Sequence, residues 1–149
     1  MSFHTSKSKY SEKKYFSCVT FTEILNIINN LKSNALGSDG INARLLKLSA
    51  PIAIPAITDL LNFSLLSGHF PTEWKTAHVH PLQKNTTPSS LCDYRPISIL
   101  PTLSKVLEKI ARCQINNYLE RNNILNENQH GFRAGRSTDT ALLNVIEDV

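Results

Sequence analysis

Along the chain, apolar residues first follow a helical period, then a strand period, then a helical one again. Ile24, Ile27, Ile28 and Leu31 recur at helical spacing. Thr20 precedes them with Glu23 three residues on, the pattern of a capping box, and helix is predicted over 21–32. A short helix is expected over 41–48, ending before Pro51, because the residue ahead of a proline is pushed out of the helical region. A longer helix is expected over 52–67, with Ile54, Ile57, Leu61 and Leu65 on one face and Leu60 and Phe63 widening it. Pro55 falls in its first turn, and Gly68 suits the position just past its end. Residues 76–83 and 96–100 are short apolar runs expected to pair as a small antiparallel sheet. The longest helix is predicted over 102–122, led by Pro101, with Leu103, Val106, Leu107, Ile110, Tyr118 and Leu119 facing inward. A last helix begins near Asp139, capped by Ser137 or Thr138, and carries Leu142, Leu143, Val145 and Ile146. The pattern predicts an α+β fold, mainly helical, of about six helices and one small antiparallel sheet.

The segments between are punctuated by polar residues, glycine and proline. Residues 1–14 hold Lys7, Lys9, Lys13 and Lys14 and little to bury; they suit a solvated basic leader or a nucleic-acid-binding tail. Ser38-Asp39-Gly40 reads as a turn, with Asp39 capping the next helix. Trp74, the only tryptophan, is expected to be a buried packing anchor rather than a stacking platform. His78 and His80 share one strand face without a third metal ligand at a useful spacing, and read as a polar, solvent-facing edge. Glu108 is placed to pair with Arg112.

Composition narrows the class. A hydrophobic content of 41% and a charged content of 19% over 149 residues fit one globular domain rather than a disordered chain. The net charge of +4 mildly favours an acidic partner such as nucleic acid. Cys18, Cys92 and Cys113 are far apart with no C-x-x-C pair, as in a reducing, intracellular compartment. No uninterrupted run reaches the roughly 20 apolar residues of a membrane span. The longest, over 50–66, is broken by Thr58, Asp59, Asn62 and Ser64.

Candidate chemistry gathers at two places. Lys84 and Arg95 flank the Ser/Thr/Pro/Asn-rich loop 85–93, so a hairpin brings both cations to one turn, suited to an anion such as a triphosphate. A strand-end lysine in water and an Arg95 ion pair with Asp93 or Glu108 are the structural alternatives. Further on, Phe132 is expected to anchor its segment, while Arg133 and Arg136 flank Gly135, where glycine permits a sharp turn or close approach to a ligand.

Three blocks then align with one family. Trp74-Lys75-x-Ala77-x-Val79-x-Pro81-x-x-Lys84 is followed by Tyr94-Arg95-Pro96-Ile97-Ser98. Gln129-x-Gly131-Phe132-Arg133 leads to Arg136-Ser137-Thr138 and Ala141-Leu142, and Gly37-Ser38-Asp39-Gly40-Ile41 stands upstream. In this order they resemble the fingers of reverse transcriptases from non-long-terminal-repeat retrotransposons of the Jockey-like branch. Asn34 and Leu36 depart from the lysine and proline common there.

The resemblance implies the fingers and the start of the palm of a right-hand polymerase, with residues 15–149 stopping before the catalytic palm strands. It implies RNA-directed DNA synthesis, with RNA template, primer DNA, deoxynucleoside triphosphate and the remainder of the polypeptide as partners, and no membrane. Mg2+ would serve the complete enzyme, with none held by this piece. By the same resemblance Lys84 and Arg95 bind nucleotide. Gln129, Gly131, Phe132, Arg133, Arg136 and Ser137 lie near template and nucleotide, and Lys75 and Lys105 add nucleic-acid contacts. The family's catalytic aspartates have no counterpart here. The one adjacent acidic pair, Glu147-Asp148, falls in a helix ahead of the expected palm strand. The expectation is a piece that does not polymerise alone and, with palm-facing helix surfaces bare, is marginally stable. A co-opted or relic basic RNA-binding module is the alternative.

Overall fold

The computed structural model describes residues 16–147; the basic leader, Asp148 and the Glu147 side chain lie outside the described residues. The described elements are α1 (Phe21–Asn29), α2 (Ala43–Ser67), β1 (His78–Gln83), β2 (Tyr94–Ile99), α3 (Thr102–Arg121) and α4 (Thr138–Glu147). Short 3-10 turns at Thr72–Lys75 and Leu91–Asp93 precede the two strands. The fold is α+β and mainly helical, but with four α-helices among the described residues rather than about six.

α1 starts where its capping box places it. Thr20 Oγ1 accepts from Glu23 N at 3.3 Å, and Glu23 Oε2 accepts from Thr20 N at 2.7 Å. That backbone bond is the main reason the Glu23 carboxyl titrates below the usual carboxylate range, helped by the Thr20 hydroxyl. Ile24 and Ile28 are fully buried, each worth about 1.5–3 kcal/mol in apolar transfer. The helix ends at Asn29 rather than at residue 32. The Asn42 side chain, not Asp39, caps α2 by accepting from Leu45 N at 2.8 Å; Asp39 instead closes its own turn onto Ile41 N.

α2 is one helix where two were expected. Pro51 and Pro55 lie inside it, four residues apart and both exposed. Their missing donors leave the carbonyls of Lys47 and Pro51 without the usual helical partner. The opposite face buries Leu46, Ala50, Ile57, Leu61 and Leu65. Continuity also makes α2 long and apolar enough, by length and composition, to cross a membrane, which the split reading had not foreseen. Here it is the central helix of the core, packed with Ile24 and Ile28 of α1 and with Val106, Leu107 and Ile110 of α3. The Asn62 amide accepts from Val19 N at 2.8 Å and donates to Val19 O at 3.0 Å, fixing the approach to α1. Gly68 ends α2 in the left-handed region at φ 68°.

Trp74 is 8% exposed and meets Phe70 edge-to-face at 6.0 Å, as a packing anchor should. Gly37 abuts Pro101 so closely that a Cβ would lie 2.6 Å from the Pro101 Cα. Ser38 donates to the Thr76 carbonyl at 3.3 Å and Thr102 to the Ile41 carbonyl at 2.6 Å. The turn at 37–41 is thereby pinned between the lead-in to β1 and the start of α3.

β1 and β2 pair antiparallel with Leu82 opposite Arg95 and Pro81 opposite Pro96. Lys84 N donates to Asp93 O at 2.7 Å, and alternation from that rung puts the two prolines on a rung without cross-strand bonds. Their missing N–H groups would have pointed out at the two free edges, which prolines blunt against further strand addition.

The chain divides into two compact units, one up to Ala111 and one from Arg112 onward. Among the described residues, every buried core residue lies in the first. In the second, α4 is capped by Ser137: its hydroxyl accepts from Thr140 N at 3.3 Å, and Thr140 Oγ1 accepts from Ser137 N at 2.9 Å.

Candidate nucleic-acid interface

Side chains alternate across the hairpin, so His78, His80 and Leu82 of β1 share a face with Arg95, Ile97 and Ile99 of β2. Lys84, one residue past β1, continues the same alternation. The two cations foreseen at one turn are therefore diagonal neighbours on one face, about 7–8 Å apart by strand geometry. Their side chains fare differently. Lys84 Nζ donates to the Cys92 carbonyl at 2.6 Å and ties down the loop. Arg95 is exposed and, among the described residues, its side chain has no hydrogen-bond or ion-pair partner.

Asp93 does not pair with Arg95. Its Oδ2 accepts from Ser89 N at 2.8 Å and Ser90 N at 2.9 Å, folding the loop back on itself. The Ser89 amide, and then that of Ser90, hold the carboxyl below its usual range. Glu108 does not pair with Arg95 or Arg112 either. It accepts from Ser104 Oγ at 2.9 Å, in keeping with the small worth of an exposed ion pair. Lys75 is exposed and Lys105 half-buried.

The block at 129–137 is organised by its arginines, not by its aromatic residue. Arg133 Nε and Nη2 grip the two oxygens of Glu120 at 2.9 and 2.8 Å, the single ion pair among the described residues. Its Nη1 donates to the carbonyls of Asn126 at 2.9 Å and Gln129 at 3.4 Å. The fork uses the planar guanidinium as lysine could not, and its hydrogen bonds are the main reason the Glu120 carboxyl is held below its usual range. Arg136 donates to the Glu127 carbonyl. The expected anchor, Phe132, is 92% exposed with φ 61°, so that expectation is corrected: the Arg133 clamp holds the segment and presents Phe132 to solvent. Gly131 and Ser137 are exposed, and Gly135 turns the chain at φ 74°.

His130 lies within this block at a position to which the motif gives no role. Its Nε2 lies 3.0 Å from Asn144 Nδ2 and 3.5 Å from Arg136 Nη1, while Nδ1 lies 2.8 Å from Thr140 Oγ1. Beside it is a polar recess of about 620 Å3, lined by Glu120, Asn128, His130, Arg136 and Asn144 among others. Nothing in the sequence marks Glu120 or His130. The reciprocal Ser90–Asp93 turn, missed in the sequence, has the S-x-x-D spacing as its signal.

Among the described residues no three His, Cys, Asp or Glu side chains gather to hold a metal ion. The Glu23, Asp93 and Glu120 carboxylates are each engaged in caps or clamps. The described residues therefore assemble no Mg2+ site, and no metal-dependent step is assigned to them.

No family model matches the chain. Curated relatives do. The chain is 35% identical over 124 residues to the "Probable RNA-directed DNA polymerase from transposon X-element" of Drosophila melanogaster, covering 83% of this chain and 14% of that protein. It is 30% identical over 132 residues to the "RNA-directed DNA polymerase from mobile element jockey" of the same fly, covering 87% and 14%. The jockey polymerase of Drosophila funebris is 30% identical over 130 residues, covering 86% and 14%. The chain thus spans about a seventh of the length of these relatives. By these matches, which run through most of its length, the chain belongs to the RNA-directed DNA polymerases of Jockey-like, non-long-terminal-repeat retrotransposons, as a segment of such a protein.

Proposed function

We propose that this segment forms the fingers of a right-hand polymerase, with the start of its palm, and that the β1–β2 hairpin engages the incoming deoxynucleoside triphosphate through Arg95, seconded by Lys84. The observation that carries the reading is the Arg95 side chain: exposed, without a partner among the described residues, and set on a hairpin whose loop is already braced by Lys84 and Asp93. A guanidinium in that position offers a two-pronged grip on phosphate oxygens and would offset charge on a departing pyrophosphate. In the complete enzyme the partners are RNA template, primer DNA and the remainder of the polypeptide, acting inside the cell. Metal-binding carboxylates for nucleotidyl transfer would come from outside these residues, so the 149-residue chain alone does not polymerise.

Two assays test this. The chain, given primer–template, dNTPs and Mg2+, is expected to incorporate nothing above background. Its affinity for dTTP is expected to fall about ten- to hundredfold in Arg95→Ala, because losing a charge-assisted hydrogen bond costs about 1.5–3 kcal/mol. Incorporation by the chain alone, or unchanged dTTP affinity in a folded Arg95→Ala variant, would sink the reading.

A second reading, an RNA-binding module without catalysis, shares the same residues. It is favoured by the exposed Phe132, a stacking surface held out by the Arg133 clamp.

A further inference from the structure

We infer that the Arg95 face of the hairpin is a wider phosphate-binding surface, and that His78 and His80 make its affinity rise as the pH falls. The inference rests on the reading of Arg95 above and extends it to two side chains to which the family motif gives no role.

The register carries it. On this face the rungs run His78–Ile99, His80–Ile97, Leu82–Arg95 and then Lys84–Asp93. His80 is the diagonal neighbour of Arg95 on one side, as Lys84 is on the other, and His78 follows two residues on. Strand rise spaces such side chains about 6.6 Å apart. His78, His80 and Arg95 are all exposed, so each can reach a ligand from water.

The charges on the face favour an anion. Beside the imidazoles are Arg95 and Lys84, both cationic, and Asp93. Asp93 lies two rungs from His80, opposite Lys84, and its Oδ2 is taken by the Ser89 and Ser90 amides. β1 and β2 pack chiefly on each other, and no titratable group from a helix is paired with either histidine among the described residues. The remaining side chains, Leu82, Ile97 and Ile99, are apolar, and the first two are exposed.

Imidazole changes charge between about pH 5 and 8. On a face with Arg95 already in place, a bound phosphate favours the imidazolium, and each protonated ring returns a charge-assisted hydrogen bond to the ligand. Binding is therefore coupled to proton uptake at His78 and His80. The shared chemistry is the phosphate oxyanion, which a nucleoside triphosphate and a polynucleotide backbone both supply.

The experiment is a titration of the 149-residue chain with dTTP and, separately, with a fluorescent oligouridylate, at fixed ionic strength and at about pH 8.0 and 5.8. Acidification is expected to tighten wild-type binding about fivefold. His78→Gln/His80→Gln is expected to lose the tightening between pH 8.0 and 5.8. His80→Arg is expected to carry the low-pH affinity up to pH 8.0. A double glutamine variant with the wild-type pH slope overturns the inference while leaving Arg95 untouched, whereas failure of both ligands to bind at pH 5.8 overturns the inference and the Arg95 reading together. Arg95→Ala without effect, beside a flattened slope in the double variant, removes the nucleotide reading and keeps the histidine surface. Tightening for oligouridylate alone assigns the phosphate to a strand, and for dTTP alone to a triphosphate.

Discussion

Gly37 shows how a single residue is fixed by its surroundings. Its place is set by contact: the Cβ of any other residue would stand 2.6 Å from the Pro101 Cα and 2.7 Å from the Pro101 nitrogen. Both are backbone atoms at the start of α3 and cannot swing aside. Gly37→Ala is expected to cost about 1–3 kcal/mol as overpacking. Urea unfolding followed by Trp74 fluorescence reads it directly, because Trp74 lines the same recess as Ser38 and Pro101. Gly131→Ala, with nothing within 4 Å of the added Cβ, is the control and should stay within about 0.5 kcal/mol. Equal costs in both would remove the argument. The Gly-Phe-Arg block shows where single-residue reading fails. Hydrophobicity assigned the packing to Phe132, yet the clamp is made by Arg133 and Phe132 is bare. The partner that decides this, Glu120, is 13 residues upstream on α3, a separation no local motif encodes.

At the scale of elements, the parts written in local chemistry were legible. The Thr20–Glu23 box, the Gly68 terminus, the Ser137 cap and the pairing of the two strands all follow from short-range pattern. α2 was not, because proline speaks for the local backbone while burial speaks for the whole helix. A continuous stripe from Leu46 to Leu65 outweighs two missing donors at prolines that are themselves exposed. The contest can be measured. Pro51→Ala restores a donor to the Lys47 carbonyl. An interior proline costs about 3 kcal/mol relative to alanine, and about 1 kcal/mol of that is offset through the unfolded chain. A gain of about 1–2 kcal/mol is therefore expected, with helical content by circular dichroism unchanged or raised. A loss of stability would mean that the chain bends into two helices at Pro51, as the sequence pattern suggested.

The whole molecule is uneven in what holds it. The buried cluster that runs from Val19 to Ile110 lies wholly within the first unit. Among the described residues from Arg112 onward none is buried, and Leu142, Leu143, Val145 and Ile146 of α4 are each more than half exposed. A stretch this short rarely sustains a core of its own. What orders it is polar: the Arg133–Glu120 fork, the carbonyls that Arg133 gathers, and the His130 contacts. Such bonds give a low local stability and a dependence on pH. The folded Glu120 carboxyl titrates below its unfolded value, so its contribution is complete above the ordinary carboxylate range and is lost as pH falls through the folded value. Two probes should therefore part company on unfolding. Trp74 reports the first unit, and amide exchange at residues 126–137 reports the second. At neutral pH the second unit is expected to open at lower urea than the Trp74 transition, and acidification below about pH 4 should widen the gap. Glu120→Gln should reproduce the acid behaviour at neutral pH while leaving the Trp74 midpoint in place. Coincident transitions for both probes at every pH would show one cooperative body and a C-terminal unit braced by more than its arginine clamp.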